Sequence, residues 1–272
     1  MPAIAFWNFG GQRQLGTLLD LLIRYGVEIL VIAEPGFDRA ELIASYSRAT
    51  GQTLYCPSLG HEIARVLFYS VFPNERFADV ADRRYVSFKE YRPLVGQSVL
   101  LGAVHLPSKL RQDSKDLPFI ASRVRKWVDE AEKQVGHERT ILVGDFNMNP
   151  FEDGMVASDA LHGVMDRRVA AKEKRTVLFD THPYFYNPMW KLMGDSDNKA
   201  LGTFFLGSGS NVHYFWDTFD QVLVRPALLN AFRDEELHIL EGIGSRPLLS
   251  KGSVGIDVGL SDHLPILFKI HT

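Results

Sequence analysis

The sequence has little of several features that mark particular classes of protein. Its 272 residues include one cysteine, Cys56, which excludes an internal disulfide and fits a reducing compartment. There is no apolar run of about 20 residues that could span a membrane. Residues 1–10 contain no basic segment followed by an apolar one, as a secretory signal would. A soluble cytoplasmic protein is therefore predicted.

An excess of positive charge is also absent. The chain carries 30 Lys and Arg against 33 Asp and Glu, for a formal net charge of -3. A polyanionic partner would therefore have to be met by a local basic surface, which disfavours a dedicated nucleic-acid-binding module. No linker-like segment rich in Pro, Gly or Ser divides the chain, and there is no internal repeat. With 46% hydrophobic residues, the sequence predicts a single domain over residues 1–272.

Apolar runs and helical periodicity alternate along the chain. Helical spacing is found after residue 15 up to Gly26, from Asp38 to Gly51, and at 120–135. Short apolar runs predict strands at 3–9, 27–33, 63–70, 84–91, 98–105, 140–144, 221–224 and 264–270. This pattern predicts an α/β fold in which sheets pack on each other and helices lie outside.

Polar residues with catalytic chemistry follow several of these apolar runs. They are Asn8, Glu34, His105, Asp145, Asp262 and His263. Side chains at strand ends can converge on one rim of a sandwich. A carboxylate there can orient and deprotonate water, an amide can hold a phosphate oxygen, and a histidine can stabilise developing charge. These residues therefore predict a site that cleaves phosphate esters, although each segment alone could be a turn.

The motifs that carry these residues resemble those of the endonuclease/exonuclease/phosphatase (DNase I-like) superfamily. The similarity covers nearly the whole chain in the expected order. The matching segments are Trp-Asn-Phe-Gly-Gly around Asn8, Glu34 after an apolar strand, Val-His-Leu-Pro-Ser around His105, Gly-Asp-Phe-Asn with Asp145 and Asn147, Phe-Asp-Gln-Val-Leu-Val with Asp220, and Ser-Asp-His at 261–263. The resemblance implies a four-layer sandwich of two packed mixed β-sheets flanked by helices.

The resemblance also implies roles for individual residues. Glu34 would be the principal ligand of Mg²⁺ or Mn²⁺, with Asn8 and Asp262 nearby in the metal site, since such ions prefer hard oxygen ligands.

In the same way, Asp145 would align or deprotonate the attacking water. Asn147 and His105 would hold phosphate oxygens, and His263, oriented by Asp220, would donate to the phosphoryl oxygens.

One position departs from the pattern of the AP endonuclease branch. That branch commonly carries Asp or Asn two residues after the first Asn, where this chain has Gly10. The departure weakens that specific assignment and removes one oxygen ligand. A second point stays open, because Asp217 is an alternative to Asp220 as the partner of His263.

An aromatic segment over residues 179–190 is a candidate for substrate binding. Its residues Tyr184, Tyr186 and Trp190 follow several basic residues at 167–175, and this combination suits stacking on an unpaired base. The alternative is that these aromatics fill the core beneath a long loop.

The sequence thus predicts a metal-dependent phosphoesterase that acts by direct water attack. It favours a nuclease or nucleic-acid phosphodiesterase with nucleic acid as its substrate. One alternative is a phosphatase for an inositol phosphate, a phospholipid headgroup or a nucleotide. Another is a non-catalytic binding protein on a degenerate version of the fold.

Overall fold

The computed structural model describes residues 2–57, 65–109, 114–194, 200–209, 211, 213–250 and 254–271. Five α-helices lie within these ranges: α1 Leu15–Arg24, α2 Arg39–Thr50, α3 Leu117–Val135, α4 Asp153–Val156 and α5 Arg167–Ala170. The strands there are β1 Ala3–Asn8, β2 Ile29–Ala33, β3 Val66–Ser70, β4 Phe77–Arg83, β5 Val86–Tyr91, β6 Val99–His105, β7 Thr140–Asp145, β8 Gly163–Val164, β9 Lys174–Val177, β10 Asp180–Pro183, β11 Phe185–Tyr186, β12 Phe204–Phe205, β13 Trp216–Asp217, β14 Asp220–Val224, β15 His238–Ile239, β16 Gly242–Ile243, β17 Arg246–Pro247 and β18 Ile266–Lys269.

Two large mixed sheets form the centre of the fold. In the described ranges, the first has the order β15-β18-β1-β2-β3 and the second the order β4-β5-β6-β7-β14-β11-β8. The alternating side chains of β1 show how the sheets pack. Ile4 and Phe6 enter the core between the two sheets, whereas Ala5 and Trp7 face the core beneath the outer helices.

Helices cover the outer face of each sheet. Leu18 and Leu21 of α1 share a core with the first sheet, and Val124 and Val128 of α3 share one with the second. Both ends of α2 are capped as its sequence predicts. Asp38 accepts a hydrogen bond from the amide of Ala40, and Gly51 closes the helix in the left-handed conformation. The four-layer α/β sandwich is therefore confirmed.

The predicted strands differ from the observed ones mainly at their ends. The strand predicted at 63–70 begins at Val66 in the structure, and residues 63–64 lie outside the described part. The sequence did not predict β4, an edge strand of half-buried and charged residues, or the hairpin of β9 and β10. Among the described residues, no helix is long and apolar enough to cross a membrane. The extent of the domain stays a prediction.

Candidate active site

The first sheet presents Asn8 and Glu34 at one edge. Asn8 ends β1 and is in register with Ala33 at the end of the parallel strand β2. Glu34 follows Ala33 directly and therefore leaves the sheet at the same edge. Its backbone is held there by the amide of Gly11, which donates to the Glu34 carbonyl at 2.8 Å.

The second sheet presents three more of the predicted residues at one edge. His105 ends β6 in register with Asp145, which ends the parallel strand β7. Asp145 in turn faces Asp220, the first residue of the antiparallel strand β14. Gly144 is required for this packing, because a Cβ atom there would lie 1.9 Å from the Val104 carbonyl oxygen.

Two contacts join these edges across the sandwich. The Asn8 amide donates from Nδ2 to Oδ2 of Asp145 at 3.0 Å, and both side chains are buried. His105 Nε2 lies 3.3 Å from Oε1 of Glu34. The two sheets therefore close on one another at this end, and residues far apart in the sequence share one cleft.

The Asp145 carboxylate is surrounded by hydrogen-bond donors. Oδ1 accepts from the backbone amide of Asn147 at 2.8 Å, and Oδ2 accepts from the Asn147 side chain at 2.9 Å in addition to Asn8. The Asn147 amide is fixed in this orientation because Nδ2 also donates to the Leu106 carbonyl at 3.0 Å. A carboxylate that accepts three bonds matches this environment best in its ionised form.

The pKa of Asp145 is nevertheless raised, to about 6, first by burial and then by the nearby charge of Asp220, against the lowering influence of His263. The group is therefore ionised at neutral pH while remaining basic enough to take a proton. A pKa near the working pH is the property that a general base needs.

His263 is held by contacts on both its backbone and its ring. The Trp7 indole donates to the His263 carbonyl at 2.9 Å, and the His263 amide donates to Oγ of Ser261 at 3.0 Å. The ring Nδ1 lies 2.8 Å from Oδ2 of Asp220. Asp220, rather than Asp217, is therefore the acid that contacts the histidine.

The position of His263 favours a charged imidazole. Burial alone lowers its pKa, but the charges of Asp220, Asp145 and Asp262 outweigh burial and raise the pKa to about 10. Atoms of Asp145, Asp220 and His263 that could bind a metal all lie within 4.8 Å of one another. Because a protonated imidazole has no free lone pair for a metal, this arrangement is suited to the transfer of protons and the stabilisation of charge.

Oxygen atoms that could bind a divalent cation lie on the outer side of the same cleft. The Glu34 side chain is 37% exposed, and Asp262 is exposed beside Gly10. Asn8 lies between them and the buried acids, with its Oδ1 accepting from the Gly10 amide at 3.2 Å. Two carboxylates and an amide oxygen, without sulfur, form a donor set that suits Mg²⁺ or Mn²⁺.

The backbone at position 10 is unfavourable for a side chain. Gly10 has a φ of +55°, and a Cβ atom built on it would lie 3.0 Å from Oδ1 of Asp262. A side chain there would therefore crowd the Asp262 carboxylate as well as strain the backbone.

Glu34 and Asn147 also have left-handed backbone conformations, with φ of 47° and 50°. Such conformations are uncommon outside glycine and cluster at functional sites, where the surrounding structure holds them.

A supporting layer behind the site was not predicted from the sequence. Asn149 donates from Nδ2 to Asp217 at 2.5 Å, and its Oδ1 accepts from the Thr218 amide at 2.8 Å. These buried groups tie the loop after Asp145 to the segment before Asp220. The only sequence signal was the position of Asn149 two residues after Asn147.

The substrate-binding prediction is wrong for two of its three aromatic residues. Tyr184 and Tyr186 are buried, and Tyr186 pairs with Val224, at the opposite end of β14 from Asp220. The Tyr186 hydroxyl donates to Asp234 at 2.9 Å. Tyr186 is a core residue of the strand β11, and Tyr184, directly before this strand, packs its ring 4.4 Å from that of His162. Trp190 is partly exposed, so its role in substrate binding stays a prediction.

The basic residues at 167–175 also lie away from the catalytic edge. Arg167 contacts Asp234 and two backbone carbonyls, and Arg175 donates to the buried ring of His162. The chain then runs through β9 and β10 before it enters β11 at its end remote from Asp220. These residues are therefore not a phosphate-binding surface beside the site.

Comparison with known proteins supports the same architecture. No protein-family model matches the chain, and no curated protein matches it significantly. Among solved structures, it is similar to an endonuclease/exonuclease/phosphatase family protein from Bacteroides thetaiotaomicron, with a TM-score of 0.57, 13% identity, and coverage of 99% of this chain and 97% of that one.

A 3′ phosphatase, NExo, from Neisseria bound to a product DNA hairpin gives a TM-score of 0.55 at 16% identity, covering 99% of each chain. TDP2 from D. rerio in complex with a single-strand DNA product gives 0.56 at 16% identity, covering 100% of this chain and 99% of that one. The chain therefore has the DNase I-like fold of the endonuclease/exonuclease/phosphatase superfamily.

Proposed function

We propose that the protein is a metal-dependent phosphoesterase that hydrolyses phosphodiester bonds of nucleic acids by direct attack of water. The single observation that carries this proposal is the arrangement of Asp145, Asp220 and His263. It places an ionised carboxylate with a pKa of about 6 beside an imidazole whose pKa is raised to about 10. A base and a cation in one cleft are what hydrolysis of a phosphate ester requires.

Each residue has a role that follows from its position. Asp145 accepts the proton of the attacking water, because its carboxylate is ionised and buried. His263, kept positive by Asp220, donates to the phosphoryl oxygens as negative charge develops on them. His105 lies beside these groups and binds a non-bridging oxygen. Asn147 donates both Nδ2 hydrogens, to the Leu106 carbonyl and to Asp145, so it fixes the base and, contrary to the sequence prediction, does not bind the phosphate. The carboxylate of Asp145 takes a proton, not a phosphoryl group, so no covalent intermediate is required.

Glu34, Asp262 and Asn8 are the residues that would hold Mg²⁺ or Mn²⁺. When bound, the cation supplies positive charge that neutralises the phosphate and its leaving oxygen.

Nucleic acid is the preferred substrate class because two of the similar structures are bound to DNA products. The acidic sequence, with a pI near 6.3, favours a small phosphoester modestly, so a phosphatase of inositol phosphates, phospholipid headgroups or nucleotides is the second candidate. A non-catalytic scaffold is disfavoured, because a binding protein has no need to bury three ionisable groups in contact with one another.

A substrate panel tests the reaction class and its metal dependence together. Plasmid DNA, a single-stranded oligonucleotide, an abasic duplex and inositol polyphosphates are incubated with the full chain and Mg²⁺, with and without chelator. We expect cleavage of at least one nucleic acid, abolished by chelator. Hydrolysis of inositol polyphosphates alone would favour the second candidate, and no hydrolysis together with no Mn²⁺ binding by calorimetry would favour the scaffold.

The direct attack of water has its own test. A substrate with a chiral phosphorothioate at the cleaved position, hydrolysed in water labelled with a heavy oxygen isotope, should give a product of inverted configuration, since a single displacement inverts phosphorus. Retention would indicate a covalent intermediate and overturn this part of the mechanism.

A further inference from the structure

Three aromatic side chains form a cluster that belongs to none of the hydrophobic cores of the described residues. The ring of Phe151 lies 5.5 Å from that of Tyr214 and 6.2 Å from that of Trp190, measured between centroids. Phe151 is 37% exposed, Tyr214 is 57% exposed, and Trp190 is partly exposed. We call these three residues the aromatic platform.

The platform lies on the catalytic side of the sandwich. Phe151 comes four residues after Asn147, on the loop that also carries Asn149. Trp190 lies in the 3-10 helix Pro188–Leu192, and the residue before that helix, Asn187, donates to the side chain of Gln221 at 2.8 Å. Gln221 follows Asp220 and donates to the Met148 carbonyl at 2.6 Å. Both segments are therefore tied to the neighbours of catalytic residues.

Tyr214, the third residue of the platform, belongs to a different segment, the extension of the β12–β13 hairpin. The hairpin of β12 and β13 lies beside the site, because Phe204 of β12 packs its ring 4.9 Å from that of His263. Beyond these strands, Leu206 donates its amide to the Phe215 carbonyl at 2.9 Å and so continues the pairing. Tyr214 therefore stands farther out along the same hairpin than the residue that touches His263.

A series of contacts leads from His263 to the platform. Phe204 stacks on Phe219 at 5.2 Å, and the Lys109 ammonium lies 5.1 Å from the centre of the Phe219 ring. Lys109 is 2.6 Å from the carboxylate of Glu152, the residue after Phe151. These contacts connect the phosphate site to the platform through the buried ring of Phe219 and the ion pair of Lys109 and Glu152, so the platform lies on the same side of the molecule as the site.

We propose that the aromatic platform binds an unpaired nucleobase of the strand whose phosphate is cleaved. Exposed aromatic rings beside a phosphate-binding cleft provide stacking surfaces for any base, since every base has a π face. A paired base is stacked within its duplex, so the platform selects single-stranded or locally unpaired nucleic acid. This inference rests on the proposed function and specifies the substrate class of the same site.

The test compares binding of two polyanions of equal charge by the full chain in chelator, which stops hydrolysis. One is a fluorescently labelled oligothymidylate, and the other is an abasic strand of the same length. We expect the wild type to bind the thymidylate more tightly, and Phe151→Ala and Tyr214→Ala to lose roughly fivefold or more of that affinity. Phe151→Trp and Tyr214→Phe should restore it.

The salt dependence separates stacking from charge. The slope of log affinity against log salt counts phosphate contacts, so it should be unchanged in both alanine variants. Phe179→Ala is the matched control, because Phe179 is 99% exposed at the tip of the β9–β10 hairpin, remote from the catalytic edge. It should bind both strands as the wild type does.

The outcomes distinguish the two proposals. If single strands are cleaved with Mg²⁺ but the platform variants bind and cleave them like the wild type, the platform inference is overturned and the nuclease function stands. If no nucleic acid is cleaved, and phosphate is released only from small phosphoesters, the proposed function fails and the platform inference fails with it.

Discussion

Asp220 and His263 form a buried pair in which Oδ2 of the acid lies 2.8 Å from Nδ1 of the imidazole, while Asp217, three residues earlier, contacts Asn149 instead. At this distance the Asp220 carboxylate keeps the His263 imidazole protonated and fixes the orientation of Nε2, the other ring nitrogen. Two acids close together in the sequence therefore have separable roles.

Replacement of Asp220 by Asn should remove the charge that stabilises the imidazolium. We expect the rate to fall by roughly 10²- to 10³-fold, as when a donor to developing charge is lost. The alkaline limb of the pH–rate profile should also move to lower pH, because the pKa of His263 is no longer raised by this partner. Asp217→Asn is the matched control, since its Oδ1 can still accept from Asn149. An equal loss and an equal shift in both variants would contradict the assignment.

The pKa of Asp145, raised to about 6, predicts the acid limb of the same profile. Activity should rise with pH through about 6, because the base is active only when ionised, and the apparent value belongs to the coupled cluster. The residual activity of Asp145→Ala, expected to be about 10²- to 10⁴-fold lower, should lack this limb. A limb that persists unchanged in the variant would show that another group is the base.

The same shift has a consequence for folding. The folded-state pKa of Asp145 lies above the value of 3.8 of an unperturbed aspartate, so the folded state holds this proton more tightly. The contribution to stability is therefore fully present below pH 3.8 and is lost as pH rises through about 6. At neutral pH the ionised base lowers the stability of the fold, as expected where a buried group serves catalysis.

Gly10 and Gly11 differ in the space that a Cβ atom would have, so alanine variants of the two can be compared. Both have positive φ, of 55° and 72°, but a Cβ at Gly11 would meet no atom within 4 Å, whereas one at Gly10 would press on Asp262. Both alanine variants should lose about 1–2 kcal/mol of stability from backbone strain. Only Gly10→Ala should also weaken Mn²⁺ binding in calorimetry and lower kcat/KM. Similar metal binding in the two variants would argue against Asp262 as a ligand.

Much of the candidate site could be predicted from the sequence because its residues end strands. Asn8, Asp145 and His105 each follow an apolar run, and parallel neighbours end at the same edge. The order of the strands then fixes which side chains converge. The pairing of His263 with Asp220 was also predicted, with Asp217 as the alternative, and the contact in the structure confirms it.

Other features had no usable signal in the sequence. The edge strand β4 carries charged residues at half-buried positions and so lacks a clean alternation. The turn of the β9–β10 hairpin places Leu178 and Phe179 in the left-handed region, where Gly or Asn is the usual signal. Tyr186 was predicted to contact the substrate because the sequence pattern of an aromatic residue near basic ones is the same whether the aromatic side chain is buried or exposed.

The aromatic platform also could not be predicted from the sequence. Phe151 and Tyr214 lie on different segments, and nothing in the sequence of either one marks their contact. A tertiary contact between exposed aromatics depends on the loops after β7 and β12. Sequence periodicity does not describe such loops.

Acid sensitivity of the fold should come in part from His162, which lies far from the catalytic residues. Burial, together with the charges of Arg175 and Arg125, lowers its pKa to about 4. Nδ1 lies 3.1 Å from the Pro183 carbonyl and Nε2 accepts from Arg175 at 3.0 Å, so the ring is neutral with its proton on Nδ1.

Because the folded-state pKa lies below the unperturbed value of 6.5, the neutral ring contributes stability above pH 6.5 that is lost as pH falls through about 4. Each pKa unit corresponds to about 1.4 kcal/mol. His162→Gln should lower stability at neutral pH yet show a shallower decline between these two pH values in urea denaturation. His238→Gln, at an exposed histidine, is the control and should keep the wild-type decline. If the decline of His162→Gln also matches that of the wild type, the acid sensitivity arises from other groups.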